Sequence, residues 1–488
     1  MDTLHKDKTF RLVKSLTKNE RRYFKLFASI TEGEKNYMLI FAEMEKQEKY
    51  DEKKIKEELQ SKKFIKHFAF EKKYLFQMIL KALKNYHSHD DRSFVSAFGD
   101  IEILIRKGMP AEARELIEKQ KEHALSLEFF TEYLMLSRFE LRAVGSMQQV
   151  NLHEQFINEV FKKDYTIIEQ LKYALFIVEK QNEITFLAGK YKFTNHREFV
   201  RKLDEVRNDK RFDGLIDRVY TKSKIALWNY YIMLSTQRHD YKNTQAYALQ
   251  SLSYIKKQKM SIAEAGYFNY LILYYYFVDS SIQLREFRRI TEYLQHFWET
   301  INLKYLLKKP EIRNQFLKLY VEMTILYLLY TGKINEGMKF IKDSQDLITE
   351  IGDVGGLEFK IFMHYAEAAL EFCAGNMNAC IDNINYILNI KSEKHYSTLN
   401  FSAQIVFVMA HIEAGNTQFV MNYLRTFSRY FHKYEVNAKT TNKLQAIFKA
   451  FITAKEAGKN MTEALKKWIS DIDLLSEQPF ERFIIQKS

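Results

Sequence analysis

The chain has 488 residues and a formal net charge of +13, more than one hydrophobic core usually serves, with 75 Lys and Arg against 62 Asp and Glu. Only 3 prolines and 15 glycines punctuate it, so strands joined by tight turns are excluded, and the long helical periodicities make an all-α fold the expectation. Two cysteines, Cys373 and Cys380, exclude a disulfide framework and suit a reducing compartment, where they would pack as small hydrophobes.

The opening MDTLHKDKTFRLVKSL has no apolar signal region, and the most apolar run, Tyr267 to Val278, is too short to span a bilayer. A cytoplasmic location without membrane insertion is therefore expected, and the Lys/Ile/Asn/Tyr-rich composition suggests a bacterial source. From about Phe10 to His89 the pattern describes a separate helical unit. In SLTKNERRYFKLFASI, Thr17 stands three residues before Glu20, the spacing of a capping box. Helices follow through NYMLIFAEMEKQ, IKEELQ and FAFEKKYLFQMILKALKNYH, the last with Phe68, Leu75, Ile79 and Leu83 on one stripe. Two helices joined by the polar turn at Tyr50 and Asp51 admit a helix-turn-helix; the plainer reading is a helical cap for the array that follows.

This unit is basic: residues 1–90 hold 21 Lys and Arg against 14 Asp and Glu, a surplus of 7. Arg21, Arg22 and Lys25, then Lys62, Lys63, Lys66, Lys72 and Lys73, alternate with Tyr23, Phe24, Phe64 and Tyr74. Such a surface attracts phosphate backbones or an acidic partner by salt-sensitive electrostatics, although lysine also simply solvates helix faces.

Ser88 to Ser93, SHDDRS, reads as a linker. Beyond it, DIEILIRKGMPAEARELIEK gives a helical hairpin with Gly108 as the break, Pro110 opening the second helix and Ala113 facing inward five residues after the glycine. Pro310 opens another helix. Residues from about Val144 to Thr221 are helical without a clear phase, with room for about three periods between Gly108 and a turn near Asp240. Turns near Asp240 and Arg285, then Gly332, Gly375, Gly415 and Gly458, keep a spacing of about 40–47 residues.

Between Leu319 and Phe427 three segments share one design. In each, an apolar helical run ends at a glycine and an amphipathic run begins at once, with inward positions at Gly337, Ile341 and Ser344; Cys380, Ile384 and Ile387; and Val420, Leu424 and Phe427. A larger residue follows each glycine by two (Ile334, Met377, Thr417) and an apolar one by nine. This pattern resembles the second half of a tetratricopeptide-type unit. The resemblance covers about residues 95–475 and departs from that family in two ways: its first-helix positions read Gln404, Phe407 and Val408, of which only Phe407 fits, and its period exceeds the family's, about 34 residues. It implies a right-handed α-solenoid of helical hairpins with an N-terminal helical domain.

Chemistry is sparse. The sequence has no GxxxxGK[ST], GxGxxG, HExxH, paired CxxC or GxSxG motif. Gly352, Gly355 and Gly356 read as a loop, His87, His89, Asp90 and Asp91 as an interdomain segment rather than a metal site, and Glu358, Glu367 and Glu371 as solvated or concave-face residues. No cofactor, metal or enzymatic activity is expected. The organisation read is a basic helical domain at 1–90, helical-hairpin repeats at 91–475 and a tail at 476–488. A concave surface built from first helices suits a protein or peptide partner, which makes the chain a non-enzymatic interaction scaffold with Tyr365, Phe372 and His411 as candidate contacts. The alternative is a nucleic-acid-binding regulator that uses Arg21, Arg22, Lys25, Lys62, Lys63 and Lys66, with the repeats as sensor or dimerisation module.

Overall fold

The structure, a computed structural model, describes residues 7–30, 35–86, 94–145, 150–191, 196–351, 356–390, 397–433 and 438–457. Among them all regular structure is helical. The chain divides into two compact units, 1–165 and 166–488. The segments read as a linker at 88–93 and as a tail at 476–488, with Gly352, Gly355 and Gly458, lie outside the described residues.

In the first unit, α1 (Lys8–Ser15), α2 (Lys18–Ile30), α3 (Asn36–Lys46), α4 (Glu52–Glu58) and α5 (Phe68–Tyr86) enclose a core that includes Phe10, Phe24, Ile40, Phe41, Leu75 and Ile79. The capping box forms: Thr17 N donates to Glu20 Oε2 at 2.8 Å, and Glu20 N to Thr17 Oγ1 at 3.3 Å. Lys72 ties the chain start to the α3–α4 turn, donating to Asp7 Oδ2, Tyr50 Oη and Glu52 Oε2 at 2.8, 2.9 and 2.7 Å. Burial opposes ionisation of Glu52, but hydrogen bonds from Lys56, Lys72 and Tyr50 outweigh it and hold the carboxyl at about 2. Three further helices follow, α6 (Val95–Arg106), α7 (Pro110–Ser126) and α8 (Phe130–Gly145), each against the next.

α9 (Val150–Tyr191) is one helix of 42 residues and contains the division between the units. It is a single long helix within the stretch from Gly108 to Asp240, where the sequence left room for about three periods. Its sequence has no proline, and its only glycine is Gly189 near the end, so nothing interrupts the hydrogen-bond ladder. α10 (His196–Arg207) and α11 (Leu215–Arg218) follow, with a core around Leu203, Phe212, Leu227 and Tyr230.

The remaining chain alternates two kinds of helix. α12 (Thr221–Gln237), α15 (Tyr267–Gln283), α18 (Pro310–Tyr330), α21 (Gly356–Ala374) and α23 (Ser397–Glu413) are apolar around most of their circumference. α13 (Tyr241–Lys257), α16 (Phe287–Ile301), α19 (Ile334–Asp343), α22 (Met377–Leu388) and α24 (Thr417–Lys433) carry one apolar stripe. Short α14 (Ile262–Ala265), α17 (Lys304–Leu307) and α20 (Gln345–Ile351) lie between hairpins, and α25 (Ala438–Glu456) closes the described chain. Each first helix contacts its own second helix and the next first helix, and each second helix contacts the following first helix, from α12 to α25. The first helices are thus flanked on several sides, which explains their all-round apolarity.

The hairpin turns share one backbone form. At Gly332, Gly375 and Gly415, with φ of 72°, 85° and 81°, the glycine N–H bonds the carbonyl three residues back and the next N–H bonds the one five back. This is the left-handed helix stop that glycine makes without a Cβ penalty. His239 (φ 58°) and Arg285 (φ 60°) make the same pair of bonds without glycine, for example Glu286 N to Ser281 O at 2.8 Å. Of the inward positions read from the sequence, Gly337, Ile341, Ser344, Cys380, Ile384, Ile387, Val420 and Leu424 are buried, and the Phe427 side chain lies outside the description. At Gly337 a Cβ would stand 2.8 Å from Leu370 Cδ2, so glycine lets α19 approach α21. No disulfide joins Cys373 and Cys380; burial, then the charges of Cys373 and Glu371, push the Cys380 thiol up to about 12.

Candidate functional site

Within the second unit a cleft of about 590 Å³ is lined by four helices, α9, α12, α15 and α18. Its polar lining is mostly amides. Gln181 on α9 donates to the Ala226 carbonyl at 2.8 Å, Asn229 Nδ2 on α12 donates to Asn269 Oδ1 at 2.9 Å, and Asn269 Nδ2 on α15 donates to the Ala265 carbonyl at 3.1 Å. Asn269 comes this close because Gly266, at φ 88°, turns α14 into α15; a Cβ there would lie 3.2 Å from Asn269 Nδ2. Asn229 is 2% exposed, and its Oδ1 has no hydrogen-bond partner. A buried amide oxygen left unpaired costs about 1–3 kcal/mol.

At the α18 end stand Lys318 and Glu322, with Nζ 3.9 Å from Oε1, too far for a hydrogen bond. Burial raises the Glu322 carboxyl to about 7; Lys318 opposes the rise and Glu358 on α21 adds to it. Beside it stands Tyr275, which is 38% exposed; enclosure of its hydroxyl end, then Asp279, Tyr276 and Glu322, hold that hydroxyl above the ordinary tyrosine range. Phe268 stands at the rim, 72% exposed. A second cleft of about 450 Å³ holds Arg207, Asp213, Arg238 and Asp240; Arg238 pairs with Asp204, and its charges balance.

The residues expected to hold a partner lie elsewhere. Tyr365 and Phe372 on α21 are core residues, and His411 on α23 is half-buried against Phe407 and Phe419, at ring separations of 4.5 and 4.4 Å. Burial holds its imidazole below the usual range. The helical phase that aims these side chains inward aims them into packing, because a first helix is flanked on more than one side. Of the basic candidates, Arg21 and Lys25 converge on Glu45, at 3.3 and 2.9 Å, and Arg21 also donates to the Leu16 carbonyl. Arg22 is exposed, as are Lys62, Lys63 and Lys66, which stand at a separate 3₁₀ turn, Lys63–His67. Glu358 is exposed, burial raises the Glu367 carboxyl, and Glu371 accepts from Asn376.

His87, His89, Asp90 and Asp91 lie outside the described residues. Among those described, no group of three His, Cys, Asp or Glu could hold a metal, and no helix is long and apolar enough to cross a membrane. Sequence reasoning missed Asn229, Asn269, Tyr275 and Glu322. The available signal was a polar residue at a position of a first helix that is otherwise apolar on every side. Comparison with protein-family models, with curated proteins and with solved structures finds no match to this chain.

Proposed function

We propose that the helical hairpins form a right-handed α-solenoid, a non-enzymatic interaction scaffold, and that the cleft of α9, α12, α15 and α18 holds an extended peptide segment of a protein partner. The observation that carries this reading is the amide-rich cleft, with Gln181, Asn182, Asn229, Asn269 and Gln315 in its lining. A side-chain amide offers both donors and an acceptor, the complement of a peptide unit. The groove is contributed by α9 and by the successive first helices α12, α15 and α18, which suits a ligand lying across them. Selection of a random linear peptide library on the full chain tests it. Selected peptides should protect backbone amides of α12, α15 and α18 from hydrogen exchange, and Gln315→Trp, which fills the cleft, should weaken them at least tenfold. Failure to select any peptide, or protection confined to other helices, overturns the reading.

A second reading, nucleic-acid binding by the N-terminal unit, draws on exposed Lys62, Lys63 and Lys66, which make no ion pair among the described residues. It requires salt-steep retention on random-sequence DNA or RNA, lost when these lysines or Arg21 and Arg22 are reversed in charge.

A further inference from the structure

Resting on that peptide-binding reading, we infer that the cleft selects a cationic side chain, lysine or arginine, with Glu322 as counter-ion and the Tyr275 and Tyr276 rings as apolar walls. The inference starts from what the site leaves uncompensated. The Glu322 side chain is 18% exposed, accepts no hydrogen bond among the described residues, and has its only near cation 3.9 Å away on its own helix. From a neighbouring helix the carboxylate of Glu358 on α21 acts on it, and the Tyr275 hydroxyl on α15 lies within its field. Glu322 therefore has one cation, at 3.9 Å, against the added field of a second carboxylate, Glu358. A second cation entering from the cleft supplies the missing charge, and it does so where solvent screening is weak.

The walls suit the same ligand. Tyr275 and Tyr276 are adjacent, with ring centroids 5.2 Å apart and near-perpendicular planes, so one presents a face where the other presents an edge. An ammonium or guanidinium over a tyrosine face gains about 0.5–2 kcal/mol. An acidic ligand would meet Glu322 in the cleft lining and is disfavoured here, although the chain as a whole carries +13. Ligand charge and carboxyl ionisation are linked. A cation binds the ionised form, so its affinity follows the ionised fraction of Glu322, which rises about tenfold between pH 6 and pH 8 for a group titrating near 7.

The experiment uses the full chain and four pentapeptide pools, acetylated and amidated at their ends, with Arg, Lys, Glu or Leu fixed at the centre and mixed residues elsewhere. Affinities are measured at pH 6 and pH 8 for the native chain and for Glu322→Gln, whose helical circular dichroism shows whether it folds. The Arg and Lys pools are expected to bind at least tenfold tighter than the Glu pool at pH 8, to tighten about tenfold from pH 6 to pH 8, and to lose both properties in Glu322→Gln. If the Leu or Glu pool binds as tightly as the Arg pool, or the Arg pool shows no pH dependence, the cation inference falls and the peptide groove stands. If no pool binds, both fall. The pH series on the native chain decides the matter even if the variant does not fold.

Discussion

Glu322 occupies a helix that is otherwise apolar on nearly every side, and its ionisation is where a single residue bears on stability. Its folded carboxyl titrates near 7 against an ordinary value of 4.5, so the native state holds its proton more tightly than the unfolded chain does. The stability this confers is fully present below pH 4.5 and is lost as pH rises through 7, by up to about 3 kcal/mol. Relative to the native chain, Glu322→Gln should therefore gain denaturant resistance at pH 8 and little at pH 4.5; an equal shift at both pH values would contradict the buried-carboxylate account. The sequence shows Lys318 and Glu322 at the i,i+4 spacing of a solvated surface pair. Only the neighbouring helices make that pair half-buried and mismatched, so this part of the site was not legible in the chain.

The hairpins close with one hydrogen-bond pattern whatever residue takes the left-handed position. A non-glycine residue there costs about 1–2 kcal/mol, partly offset by the greater freedom glycine loses on folding, about 0.5–1 kcal/mol. Lys259, exposed at φ 53°, should therefore be improved by Lys259→Gly by about 0.5–1 kcal/mol, whereas Gly375→Ala, from φ 85°, should cost about 1 kcal/mol. Urea midpoints at constant slope check both, and opposite signs are the essential result. The same energetics explain what could be read. Gly332, Gly375 and Gly415 announce their turns, while those at His239 and Arg285 carry no glycine and were visible only through the spacing of their neighbours.

All three tryptophans, Trp228, Trp298 and Trp468, fall in the second unit, while helices fill both. Tryptophan emission therefore reports residues 166–488, and far-ultraviolet circular dichroism reports the whole chain. With two compact units, urea unfolding followed by the two probes should give curves that do not superimpose. Superimposable curves would show a single cooperative unit. The nearest-neighbour contact pattern from α12 to α25 points the same way, since stability in such an array is approximately a sum of local terms.

Local patterning by itself determined the helical class, the capping box at Thr17, the helix starts at Pro110 and Pro310, the glycine turns and the inward stripes of the second helices. Those features depend on residues within a few positions of one another, where backbone geometry and side-chain periodicity act directly. Tertiary structure alone decided that Tyr365 and Phe372 belong to the core, and that Asn229, Tyr275 and Glu322 line a common cleft. The physical reason is flanking. A first helix is covered by its own second helix and by neighbours more than 30 residues away, so the strip it leaves open is set by contacts that its own periodicity does not encode.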